Sequence, residues 1–247
     1  LNRGFDQLLM DVALHRAGVT FVLDRAGVTG ADGASHNGVW DIAMCSMIPG
    51  LRLAAPRDEQ TLRARLREAL DVDDAPTVIR YRKGSLPEPM PALRSVGGVD
   101  VLFDEAVDSS SARVLIVGTG ACAPDAIEAG RRLSEGGVSV TVVDPQWMIP
   151  VCPELATLAR DYDCVVSVED GIVQGGFGWS LRDAVAETGV PVRCLGVPQG
   201  FPEHGDRGEM IAKFGFDAAG IERARDYTWE ASAAAHAAVY ASLAGVR

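Results

Sequence analysis

The apolar run Val19-Thr20-Phe21-Val22-Leu23 passes directly into a loop with glycines at Gly27, Gly30, Gly33 and Gly38. A short apolar, β-branched run bounded by turn residues reads as a buried parallel strand. A glycine-rich loop straight after such a strand narrows the fold sharply, because ligands of open α/β sheets bind outside the carboxyl ends of the strands. Glycine there lets the backbone approach a ligand closely. The loop also carries Arg25 at its start, then Asp32 and His36. A cation, a carboxylate and an imidazole on one loop suit an anionic, polarisable substrate.

The rest of the chain repeats the strand–helix alternation. Residues 1–16 place Phe5, Leu8, Leu9, Val12 and Ala13 at helical spacing. Strands are expected at 19–24, 51–55 and 77–82. Between the last two, Asp58 to Leu70 reads as an amphipathic helix with Leu62, Leu66 and Leu70 on one face. From 84 to 112 the composition shifts to Pro87, Pro89, Pro91, Gly97, Gly98 and a run of serines, which marks a linker, with Val99–Phe103 as a short strand inside it. A second unit follows. Its strands are expected at Val114–Val117, Val138–Val143, Val165–Val168 and Val192–Leu195, with helices near 122–135, 153–160 and 176–187. The Ala-rich tail from Ile221 to Arg247 has helical propensity. The expected fold class is α/β, with two doubly wound α/β domains: 1–83, then the linker 84–112, then 113–247 with its helical tail.

The net charge of −11 argues against nucleic acid and anionic membrane surfaces as partners. No apolar run approaches the ~20 residues of a membrane helix. The same charge means that an anionic substrate needs a local cluster of cations. The five cysteines are scattered without CxxC spacing and read as reduced thiols of a cytoplasmic protein. Gly118-Thr119-Gly120 is half of a dinucleotide fingerprint without its third glycine; tight strand-to-helix packing explains it better. His15, His204 and His236 have no partner spacing and receive no role.

From Asp24 to Gly38 the chain reads Asp-Arg-Ala-Gly-Val-Thr-Gly-Ala-Asp-Gly-Ala-Ser-His-Asn-Gly. This segment resembles the transketolase-like, thiamine-diphosphate-dependent family, and within it the 1-deoxy-D-xylulose-5-phosphate synthases. The resemblance continues through Ala55-Pro56-Arg57-Asp58, Asp73-Asp74-Ala75-Pro76, Ile79-Arg80-Tyr81, Val168-Glu169-Asp170-Gly171, Gly175-Gly176-Phe177-Gly178 and Gly196-Val197-Pro198. It covers residues 1 to about 220, with the motifs in order. It implies a truncated pyrimidine-binding domain followed by a transketolase C-terminal domain, in a cytoplasmic homodimer. The implied reaction is the decarboxylative condensation of pyruvate with glyceraldehyde 3-phosphate, which feeds isoprenoid and thiamine precursors. The implied cofactors are thiamine diphosphate and Mg²⁺. The activating glutamate and the Gly-Asp-Gly…Asn run that hold them in the family have no counterpart here, so no metal ligand is assigned. In the family the run Leu1–Gln7 lies in mid-domain, so the chain is expected to be a fragment or truncated product, inactive alone.

The resemblance also assigns roles. His36 contacts the reacting atoms of donor and acceptor, where an imidazole with a pKa near ~6.5 exchanges a proton readily. Asp32 hydrogen-bonds the acceptor's hydroxyl. Arg25 and Lys83 bind its phosphate, Lys83 standing where the family usually has arginine and losing the bidentate fork. Strand alternation puts Lys83 on the side opposite Arg80 and Arg82. Arg3 matches a cofactor-binding arginine beside the pyrimidine. From the residues alone, His36 is equally a turn cap, Asp32-Gly33 a common turn dipeptide, and Arg25 a surface ion-pair partner. Glu169, Asp170 and the 171–178 loop read as architecture. Two other functions fit the chain: the β subunit of a 2-oxo-acid dehydrogenase, and a non-catalytic, dimerising remnant. The Asp-Arg-Ala-Gly start and Gly38 two residues after His36 fit the synthases better.

Overall fold

A computed structural model describes residues 1–108 and 111–223. The chain begins with a helical segment in which α1 (Phe5–Gln7) lies between a 3₁₀ turn at Asn2–Gly4 and a π-helical stretch at Leu8–Ala13. Leu8 is buried, and Phe5, Leu9, Val12 and Ala13 pack on the same core, as their spacing requires. Then follow β1 (Thr20–Leu23), α2 (Asp41–Ser46), β2 (Arg52–Ala54), α3 (Glu59–Leu70) and β3 (Thr77–Arg80). Asp58 caps α3: its Oδ1 accepts from the Thr61 backbone N–H at 2.8 Å, and Thr61 Oγ1 accepts from the Asp58 N–H at 3.1 Å. Leu62 and Leu66 pack inward. Leu70, expected on the same face, is instead 66% exposed, because Ala69 takes the inward position of the last turn and is fully buried against Ile79.

Next come β4 (Arg94–Val96) and β5 (Val99–Glu105), inside the segment whose composition marks a linker. They form a hairpin on Gly97 and Gly98, both with positive φ. The remaining elements are β6 (Arg113–Gly118), α4 (Ala123–Glu135), β7 (Ser139–Asp144), β8 (Trp147–Ile149), α5 (Pro153–Ala159), β9 (Cys164–Ile172), α6 (Phe177–Val185), β10 (Val192–Val197), α7 (Arg207–Phe214) and α8 (Ala218–Arg223). The expected helical tail lies, beyond α8, outside the described residues.

Two sheets result. One has the order β1-β3-β2-β8 and the other β10-β9-β6-β7-β5-β4. In the first, β1, β3 and β2 are parallel, and β8 pairs antiparallel with β2, Leu53 opposite Ile149. In the second, β10, β9, β6 and β7 are parallel, with the β4–β5 hairpin added antiparallel to β7. Leu8, Ile42, Leu53 and Val78 share one apolar core with Leu115, Val143, Leu155 and Phe177 of the second unit. A second core fills the space between the larger sheet, α4, α7 and α8. Gly118 touches α4 so closely that a Cβ would lie 2.6 Å from that of Ala126. The Gly118-Thr119-Gly120 turn is therefore packing, as its missing third glycine indicates.

Buried charge joins the units. Arg57, 5% exposed, donates to Asp144 at 3.0 Å, pairs with Asp100 at 2.8 Å and donates to the Met90 carbonyl at 2.9 Å. Glu169 is fully buried on β9, where its oxygens accept from the backbone N–H groups of Phe177 and Gly178 at 2.8 and 2.9 Å. These are orphan donors at the start of α6. Burial pushes the Glu169 carboxyl up from 4.5 to about 7. The folded state then holds this proton more tightly than the unfolded chain does. The group favours folding most at low pH, and that contribution is lost as the pH rises from 4.5 to about 7. Glu169→Gln should remove the loss, roughly 3 kcal/mol across the window. Denaturant titrations of wild type and variant at stepped pH measure the difference; a constant difference would contradict it.

Candidate functional site

The carboxyl ends of β1 and β3 start the site. Beyond Leu23 the chain stays on the sheet, the Ala26 N–H donating to the Tyr81 carbonyl at 3.0 Å. Gly27 and Gly38 then exchange N–H···O bonds at 2.8 and 2.9 Å, closing residues 27–38 into one excursion. Asn37 stitches its inside. Its side-chain oxygen accepts from the Thr29 N–H at 2.8 Å, and its amide donates to the Gly33 carbonyl at 3.1 Å. Gly27 has φ +78° and lies against Asp170, so that any Cβ there would overlap the carboxylate. A 3₁₀ turn at Ala34–His36 presents His36 to solvent, with Ser35 Oγ 3.0 Å from its Nδ1.

His36 stands on an open cleft of about 570 Å³ whose wall includes Asn2, Arg3, Leu23, Arg25 and Ser35. Arg3, His36 and Arg25 therefore line one cavity. Just outside its lining, Lys83 Nζ donates to Asp32 Oδ1 at 2.7 Å, and Arg25 Nη1 lies 3.7 Å from Asp32 Oδ2. The hydrogen bond from Lys83 holds the Asp32 carboxyl below its ordinary range; burial opposes this, and the charges of Lys83 and Arg25 reinforce it. Arg25 belongs both to the cleft and to this cluster. The five residues singled out in the sequence thus lie in one continuous region.

Strand alternation does not reach Lys83: β3 ends at Arg80 rather than at 82, and Arg82 and Lys83 lie beyond it. Lys83 reaches Asp32, whereas Arg80 is buried and donates to Asp41 at 2.8 and 3.2 Å and to the Asp170 carbonyl at 2.9 Å. Arg82 is exposed. Two further residues support the loop, Asp41 at the start of α2 and Arg207 at the start of α7. Their partners lie far off in the chain, so no local spacing signals them. Arg207 Nη1 donates to the Val28 carbonyl at 2.6 Å and sits 2.8 Å from Asp170 Oδ2. Asp144, at the end of β7 where a dinucleotide's ribose partner would stand, is fully buried on Arg57.

Among the described residues no helix is long and apolar enough to cross a membrane. Residues 1–89 match the transketolase pyrimidine binding domain, and residues 105–221 match the transketolase C-terminal domain. The chain is 52% identical over 225 residues to 1-deoxy-D-xylulose-5-phosphate synthase 2 of Streptomyces avermitilis, covering 90% of this chain and 35% of that protein. It is 50% identical over 226 residues to the 1-deoxy-D-xylulose-5-phosphate synthase of Corynebacterium glutamicum, covering 90% and 36%. It spans about a third of the length of these curated relatives. Among solved structures, a split-gene transketolase described as an inactive β4 tetramer superposes with a TM-score of 0.74 at 26% identity, over 90% of this chain and 70% of that one. A transketolase variant from Pichia stipitis shares the fold at a TM-score of 0.66 and 21% identity, over 87% of this chain and 31% of the other. With consecutive pyrimidine-binding and C-terminal domain matches and the corresponding pair of α/β units, the chain belongs to the transketolase family.

Proposed function

We propose that this segment is the acceptor-binding part of a 1-deoxy-D-xylulose-5-phosphate synthase, a transferase that joins pyruvate to glyceraldehyde 3-phosphate in a cytoplasmic homodimer. The observation that carries the reading is the meeting of Arg25 and Lys83 on Asp32, beside the cleft that bears His36. Two cations within reach of one carboxylate form a local positive site on a chain of net charge −11. A phosphate suits it, because arginine binds phosphate through a planar fork and lysine as a point charge. Asp32 is placed to hydrogen-bond the acceptor's hydroxyl, and His36 to hold or move the proton at its carbonyl oxygen. Arg3 marks the edge of the cleft where the pyrimidine of thiamine diphosphate would lie. The names of the relatives favour this reading over the β subunit of a 2-oxo-acid dehydrogenase.

Thiamine diphosphate supplies carbanion chemistry when bound. The residues present do not fit its metal–diphosphate half. Among the described residues no three His, Cys, Asp or Glu side chains gather as a metal site, and the cleft offers no cage of oxygens of the kind Mg²⁺ takes. We place those ligands outside this chain, and expect the chain alone to be inactive.

The phosphate assignment is tested in a full-length enzyme containing this segment. Arg25→Ala and Lys83→Ala should each raise the KM for glyceraldehyde 3-phosphate roughly tenfold or more and leave that for pyruvate nearly unchanged. Lys83→Arg should match or improve on wild type, since it restores the fork. An acceptor-specific defect from Arg82→Ala, with Lys83→Ala silent, would move the phosphate from Lys83 to Arg82.

A further inference from the structure

The backbone of Val28 sits at the base of the 27–38 excursion, and both of its polar groups are met by side chains of the second unit. Its N–H donates to Asp170 Oδ1 at 2.9 Å, and its carbonyl accepts from Arg207 Nη1 at 2.6 Å. Arg207 and Asp170 are themselves paired at 2.8 Å, with side-chain exposures of 18% and 2%. Val28 thus receives what a neighbouring strand would give it, from two side chains that bind each other. The loop is shaped to accept this. Gly27 lies against the Asp170 carboxylate, and a Cβ on Gly30, at φ +67°, would come 2.7 Å from the Gly205 carbonyl and 2.9 Å from the Arg207 nitrogen. Asp170 also ties back to the first unit, its own carbonyl accepting from Arg80, which holds Asp41 at the far end of the same loop.

We infer that Asp170 and Arg207 are positioning residues: a clamp from the C-terminal unit that fixes the loop carrying Asp32 and His36 in its binding-competent shape. The functional half rests on the reading of this loop as the acceptor site; the mechanical half does not. Neither member of the pair lines the cleft or contacts Arg25 or Lys83; the pair reaches the loop through its hydrogen bonds to Val28 and its packing against Gly27 and Gly30. A buried hydrogen bond to a charged partner resists local opening by about one to two powers of ten in population. Without the clamp, residues 27–38 keep their Gly27–Gly38 closure and their Asn37 stitching but lose their floor.

Hydrogen exchange on the chain as it stands tests the clamp. In Arg207→Met, amides of residues 26–38 should exchange about 10- to 100-fold faster, led by Val28. Amides of Val114–Val117 and Val165–Val168 should stay as protected as in wild type. Arg207→Lys should recover part of the protection, and Asp170→Asn, which keeps the shape, should loosen the same stretch. Unchanged loop exchange, or equal loss of protection throughout both sheets, would overturn the clamp. Titration with inorganic phosphate, followed on the His36 ring resonances, tests the functional half. Phosphate should shift them in wild type and need about five- to tenfold more to do so in Arg207→Met. Equal phosphate affinity with a loosened loop would overturn the positioning role. A wild type blind to phosphate would count against the acceptor-site reading alone, the exchange result still deciding the clamp.

Discussion

In a full-length enzyme that contains this segment, His36→Ala should lower turnover by a factor of about 10² or more, the scale of positioned acid–base catalysis. His36 is exposed, and the hydrogen bond of its ring is to its neighbour Ser35 at 3.0 Å. The loop is held instead by the Gly27–Gly38 exchange, Asn37 and the Asp170–Arg207 pair. Losing the imidazole therefore costs almost no packing, and the variant should unfold where wild type does. That separates a chemical from a structural role. Steady-state rates at saturating pyruvate and acceptor, together with a melting curve, decide the matter. Full turnover would leave His36 as a turn cap; lost turnover with a large fall in Tm would make it structural.

The largest stability effect is expected from Arg57→Met. Methionine fills much of the volume but leaves Asp144, fully buried, and Asp100, largely buried, without their cation. Breaking a buried ion pair from one side typically costs about 3–5 kcal/mol. In a chain of this size that amounts to a fall in Tm of roughly 10 °C. Burial pushes Asp144 up to about 6 even with Arg57 beside it, so in the variant this carboxyl should take up a proton near neutral pH. Removing the fully buried pair, as Arg57→Met with Asp144→Leu, should recover part of the loss, because an apolar pair carries no desolvation penalty, while Asp100 keeps its hydrogen bonds from Ser95 and Gln146. A loss under ~1 kcal/mol in the single variant would mean that water reaches the carboxylates.

Much of the fold is legible because its signals are local. Val114–Val117, Val138–Val143 and Val165–Val168 are β-branched runs on strands buried on both faces, and all lie within β6, β7 and β9 or one residue from them. The capped, periodic stretch at 58–70 becomes α3 for the same reason. Short elements are harder to see. The six residues of α2 give fewer than two turns of periodicity. The three of β8 are a strand only because β2 lies beside them. The β4–β5 hairpin did leave a local mark, Gly97-Gly98 between two valines, which the surrounding prolines and serines outweighed. In the site, Arg25, Asp32 and His36 are legible because one loop carries them. Arg80–Asp41 and Arg207–Asp170 are not, because each joins residues that meet only after the sheets have formed.

The strand β8 has a consequence for how such a chain comes into being. Synthesis runs from the amino end, so β1, β2 and β3 leave the ribosome well before Trp147–Ile149 can pair with β2. Until then the first sheet has an open edge at β2, and the apolar side chains it shares with the second unit have no cover. An open edge of this kind is a template for the wrong strand. Contacts so distant in sequence form slowly, which exposes the nascent chain to mispairing with its neighbours on a polysome. Coexpressing a chaperone that masks strand edges should therefore raise the soluble yield of this chain, and a translational pause placed between β3 and β8 should lower it.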